Sequence, residues 1–192
     1  MTAPCSKKIG ILGVGNLLLS DEGFGSHFLD YLSSNFEIPA GITVFDGGTA
    51  GIMLAPFVED HDIIFVIDVV SPTEGEPGSI HCFTDQEVRS GNIQTRMSPH
   101  QVGLLEILDL CNLRGLEPEH IEMFTVVPQD LSTRIGLSPL LETKLPEVMS
   151  LLASALERQG VHLTPKAAPK VGPHNAPDYQ TMAQRTHKRQ HR

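Results

Sequence analysis

KIGILGVGNLLLSDEGFG, Lys8 to Gly25, is the stretch on which the fold turns. Lys8 to Leu12 is an apolar run that reads as a buried strand. Glycines 13 and 15 follow it, and the acids Asp21 and Glu22 precede a change of spacing. From Phe24 the apolar residues Phe24, Phe28, Tyr31 and Leu32 share one helical face, so a helix is predicted over Phe24 to Ser34.

The same alternation continues along the chain. Ile42 to Phe45 (ITVF), Ile63 to Ile67 (IIFVI) and Ile121 to Val127 read as further buried strands. Gly78 to Phe83 reads as a weaker strand toward an edge. Val102 to Leu113 repeats apolar residues at Leu104, Leu105, Leu108 and Cys111. Leu140 to Leu156 repeats them at Leu141, Leu145, Val148, Leu152 and Leu156, and Pro146 either kinks that helix or marks its true first turn. Strands alternating with helices predict an α/β fold, a three-layer α/β/α sandwich around a mostly parallel twisted sheet of about five strands. Ligands in such folds gather beyond the carboxyl ends of the strands.

Composition narrows the class. A chain of 192 residues with 40% hydrophobic content can bury one core. Its longest apolar run, Ile63 to Ile67, is too short to span a bilayer, and Met1 to Ser6 shows no secretory signal, so no membrane insertion is expected. Cysteines at 5, 82 and 111 have no zinc-type spacing and suit free thiols in a reducing, cytoplasmic setting. Residues 1–163 carry a net charge of −14 and residues 164–192 a net +5, so an acidic body ends in a basic, proline-containing tail expected to be disordered. An acidic body argues against nucleic acid as the main partner and suits a metal, a cationic ligand or a basic protein surface.

The unusual residues follow the strands. GVGNLLLSDEGFG lacks the third glycine of a dinucleotide fingerprint, because position 18 is Leu18, and it lacks a Walker-type lysine. Asp21 reads as a helix cap, which leaves Glu22 to project into the crevice as a hard oxygen ligand. DGGTAG, Asp46 to Gly51, lets the backbone turn sharply, with Thr49 a candidate cap for the helix that follows. For Asp46 itself, turn formation and function are both open. Asp68 follows five apolar residues of a central strand, where a bare carboxylate is costly unless paired or metal-bound. Ser98-Pro99 opens a helix and leaves His100 near its N-terminal end, neutral and able to bind a metal. Glu22, Asp68 and His100 together suit a divalent transition ion with open positions. The histidines at 27, 61, 81, 120 and 162 read as surface or packing residues.

GVGNLLLSDEGFG, DGGTAG, the Asp68 strand end, SPHQVGL and the later GLSP (Gly136 to Pro139) occur in the same order as in the [NiFe]-hydrogenase maturation endopeptidases, which the chain resembles from about Lys8 to Leu163. The resemblance implies removal of a C-terminal peptide from a hydrogenase large-subunit precursor once nickel is in place. It implies that Glu22, Asp68 and His100 contact nickel supplied by the substrate, and that Asp46 assists water activation or peptide positioning. HExxH, pepsin-type DTG and GxSxG motifs are absent, so whether the acid or the metal activates the water stays open. Two other readings share these residues: a nickel-binding chaperone that does not cut, and a self-contained metallohydrolase.

Overall fold

The computed structural model describes residues 7–90 and 99–167; the side chains of 52 and 99–102 lie outside that description. Five strands form the main sheet: β1 (Ile9–Val14), β3 (Ile42–Gly48), β4 (Ile63–Val69), β5 (Ile80–Phe83) and β6 (His120–Val126). Their order is β3-β1-β4-β6-β5. The pairs β1–β3, β1–β4 and β4–β6 are parallel, and β5 runs antiparallel at one edge. Every residue of β1 and β4 is buried, as expected of central strands covered on both faces.

Alternation along the strands divides the core into two layers. Ile9, Ile11, Phe65 and Ile67 face α1 (Phe24–Asn35) and α6 (Leu145–Arg158). Leu12, Val14, Ile64 and Val66 face the other side, which packs Leu54, Val58, Val88, Leu104 and Cys111. Those residues bring in α2 (Ala55–Glu59), α3 (Asp85–Arg89) and α4 (Pro99–Leu113). The result is the three-layer sandwich.

Pro146 proves to be in the first turn of α6, where its missing N–H costs nothing. The single helix expected from Leu140 to Leu156 is therefore two, because a short α5 (Pro139–Glu142) precedes it. A small antiparallel pair, β2 (Phe36–Glu37) with β7 (Thr164–Pro165), ties the chain to the body just past the expected boundary at 163. The Lys166 N–H donates to Asn35 O at 2.8 Å. The rest of the basic tail, from residue 168, lies outside the described residues.

Glycines set how closely α1 meets the sheet. A Cβ at Gly25 would stand 2.5 Å from Val14 N and 2.6 Å from Ile67 O, and one at Gly13 would stand 2.7 Å from Gly25 O. Helix backbone therefore lies directly on strand backbone at the carboxyl ends of β1 and β4. Gly13 and Gly25 serve this contact, while Gly15 (φ 139°) and Gly23 let the loop between them fold against its own backbone, which accounts for the four glycines without a phosphate. Among the described residues, no helix is long and apolar enough to cross a membrane.

Candidate active site

Three carboxylates collect at the carboxyl end of the sheet. Glu22 lies in a 3-10 turn, Ser20–Gly23, between β1 and α1 and is 8% exposed. Asp68, near the end of β4, is fully buried and follows Ile64 and Val66 onto the α4 face. Its Oδ1 accepts the Val69 N–H at 2.7 Å. Asp46 ends the regular part of the edge strand β3, opposite Gly13 of β1. The next pairing skips Gly47 and joins Val14 to Gly48, so a bulge follows the acid directly. Bulges of this kind re-aim a side chain. Asp46 is exposed, and its Oδ1 accepts from Ser26 Oγ at 2.8 Å and from Gly48 N at 3.0 Å.

His100 is the second residue of α4, at the N-terminal end expected for it. Its side chain lies outside the described residues. The DGGTAG loop meets the same helix: a Cβ on Gly103 would touch Gly51 Cα at 3.7 Å. Among the described residues, no three His, Cys, Asp or Glu side chains gather as a metal-holding group.

Two expectations need correction. Asp21 is not a cap. Gly23 occupies the N-cap of α1 and makes no side-chain bond there. The Asp21 side chain instead turns into the protein, where it is fully buried. Its Oδ2 accepts from Gln129 N (2.9 Å) and Asp130 N (2.8 Å), and its Oδ1 from Ser138 N (2.6 Å). It thus fastens the segment between β6 and α5 beside Glu22. Thr49 is likewise not the cap of α2, whose N-cap is Leu54.

The clamp is wider than one residue. Ser20, held at φ 49°, donates its N–H to Arg134 O (2.8 Å) and its Oγ to Gly136 O (3.0 Å). Arg134 Nη2 donates to Ser20 Oγ at 3.0 Å. The Ser132 amide and hydroxyl beside Asp130 hold its carboxyl below the ordinary value of 3.8. This fastened segment exposes Leu131 and Ile135 next to exposed Leu18. Ser26, Arg134 and the Asp21 clamp were missed because their partners lie far off in sequence. The histidines bear out their plain reading where their contacts are described. His61 Nδ1 meets Phe57 O at 2.7 Å, and His120 and His162 lie beside Glu122 and Glu157.

Acids placed at the carboxyl end of a mostly parallel sheet, in a sequence without a nucleotide fingerprint, fit an α/β enzyme whose site lies beyond the strand ends. Comparison with known proteins gives the family. The hydrogenase maturation protease profile matches residues 27–155, and the chain belongs to that family. It is 31% identical over 161 residues to the hydrogenase 2 maturation protease of Escherichia coli, covering 84% of this chain and 98% of that one. It is 36% identical over 158 residues to the hydrogenase expression/formation protein HoxM of Azotobacter vinelandii, covering 80% and 74%. The solved structure of the E. coli hydrogenase maturating endopeptidase HybD superposes with a TM-score of 0.78, covering 83% of this chain and 98% of that one. The chain is a peptidase of hydrogenase maturation.

Proposed function

We propose that this chain removes the C-terminal extension of a [NiFe]-hydrogenase large-subunit precursor after nickel insertion, and that it recognises nickel carried by the substrate. The observation that carries this reading is the state of Asp46. It is an exposed acid with one oxygen tethered by Ser26 and Gly48, at the sheet end where Glu22 and Asp68 also lie. In this reading Glu22, Asp68 and His100 contact the substrate's nickel, two hard oxygens and one imidazole being a donor set that suits a divalent transition ion. The contact holds the scissile bond beside Asp46. Tethering of Oδ1 leaves Oδ2 to take a proton from the attacking water and pass it to the leaving amine. The free thiols of Cys82 and Cys111 agree with a reducing cytoplasm as the place of reaction.

The test is intact-mass measurement of nickel-loaded and nickel-free precursor after incubation with the protein. Loss of a C-terminal peptide from the loaded form alone is expected. Glu22→Gln and His100→Ala should abolish the nickel dependence of cleavage or cleavage itself, and Asp46→Asn should slow it by about 10²–10⁴-fold. Binding without mass loss would overturn the peptidase assignment for this substrate in favour of a chaperone. Equal cleavage of both forms would overturn nickel recognition.

A further inference from the structure

We propose that the precursor's C-terminal segment binds as an added β-strand along the outer edge of β3, which brings its backbone past Asp46. The inference rests on the assignment of Asp46 as the reacting acid and names how the substrate reaches it.

Among the described residues, β3 has a strand neighbour on one side only, β1. Its residues Thr43, Phe45 and Asp46 are exposed, whereas β1 and β4 are buried throughout. Natural edge strands are commonly guarded by lysine, proline or an inward charge. Ile42 to Phe45 has none of these, and the bulge at Gly47 comes only after Asp46. The opposite edge, β5, is four residues long and carries no acid.

The direction of the free backbone groups follows from the ladder. Ile9 N–H donates to Gly41 O at 3.2 Å. In a parallel pair the N–H and C=O of alternate residues turn toward the same neighbour. Gly41, Thr43 and Phe45 therefore face β1, while Ile42, Val44 and Asp46 turn their backbone groups outward. The Ile42 N–H is taken by Pro39 O at 3.2 Å. The N–H and C=O of Val44 and of Asp46 remain as docking groups for an extended peptide, the mode known as strand addition. A strand paired there would run about 5 Å from the Asp46 Cα. A carboxylate and one water span that distance to a peptide carbonyl. Beyond the acid, a Cβ added at Gly48 or Gly51 would meet no described atom within 4 Å.

Strand addition has a signature that side-chain recognition lacks: backbone contacts fall on every second residue of the substrate. The experiment uses the full-length protein and nickel-loaded precursors made by ligating synthetic C-terminal segments, each with one N-methylated peptide bond. Initial rates are followed by intact mass. The expected result is alternation. N-methylation at every second position near the cut should lower kcat/KM by about three- to tenfold, with little effect at the positions between. Val44→Pro, which removes one outward N–H and leaves the β1 ladder its bonds, should raise KM for the unmodified precursor while the thermal melt stays cooperative. Uniform sensitivity, or none, would overturn strand addition and leave the assignment of Asp46 standing. Failure of the unmodified loaded precursor to be cut would instead remove the reading on which the proposal rests. A concentration-dependent dimer abolished by Val44→Pro would give the edge to a second copy of the chain and overturn the proposal.

Discussion

Replacing Asp21 with alanine separates a clamp from a cap by magnitude. Loss of a helix cap costs about 1 kcal/mol. The Asp21 carboxylate instead satisfies three backbone amides, those of Gln129, Asp130 and Ser138, from a fully buried position. The Ser138 donor is buried and those of Gln129 and Asp130 partly so, and a buried donor left without a partner costs about 1–3 kcal/mol. Water entry and loop relaxation recover part of this, so Asp21→Ala should lose about 3–5 kcal/mol in total. A domain of this size falls by roughly 2–4 °C per kcal/mol, so its melting temperature should drop by about 6–20 °C. Asp21→Asn keeps one acceptor oxygen and should fall between wild type and alanine. Urea unfolding gives the free energy, and amide hydrogen exchange gives the location. The clamp predicts faster exchange across residues 129–138, whereas a cap predicts it at the start of α1. A loss of about 1 kcal/mol or less, with exchange across 129–138 unchanged, would refute the clamp.

Other perturbations test the remaining structure. Gly25→Ala puts a methyl 2.5 Å from Val14 N and 2.6 Å from Ile67 O, so it should cost about 3 kcal/mol or more, or prevent folding; soluble yield and urea midpoint report this. Gly48→Ala meets open space but sits at φ 47°, so the same measurement should show only the backbone strain of about 1–2 kcal/mol. Ser26→Ala frees Asp46 Oδ1 from one of its two bonds and should reduce kcat about tenfold, with KM for the precursor little changed. Asp130 titrates low in the folded state, so its contribution is present above the unfolded value and is lost as pH falls through the folded one; Asp130→Asn should flatten that acid limb of the stability profile. Burial pushes the thiols of both Cys82 and Cys111 up from their ordinary value, so accessibility decides between them: alkylation should modify exposed Cys82 well before buried Cys111, which should react only on unfolding.

The parts of the fold legible in sequence are those whose signal is local. IIFVI is apolar throughout because β4 is covered on both faces, and Leu145, Val148, Leu152 and Leu156 keep helical spacing because one face of α6 meets the sheet. Glu22, Asp46 and Asp68 could be singled out because each acid comes after the apolar run of a strand. What escaped depends on partners distant in the chain. Asp21 looks like a cap from its neighbours alone, and only the approach of residues more than a hundred positions away turns it inward. Ser26 reads as an ordinary helix residue until β3 is laid beside β1 and brings Asp46 over it. The break between α5 and α6 was blurred because Leu141 and Leu145 are both buried and keep the period across it.

The contact of Gly13 and Gly25 has a consequence for how such an enzyme can change. A joint made of backbone alone has no rotamers, so it offers nothing to adjust. Repacking Phe24, Leu29 or Ile67 can alter stability, but the spacing between the acids of β3, β4 and the turn before α1 stays set by main-chain geometry. Side chains can vary more freely at the periphery, where Leu18, Leu131 and Ile135 are exposed on segments that Asp21 and Ser20 hold fast, and changes there leave the backbone joint untouched.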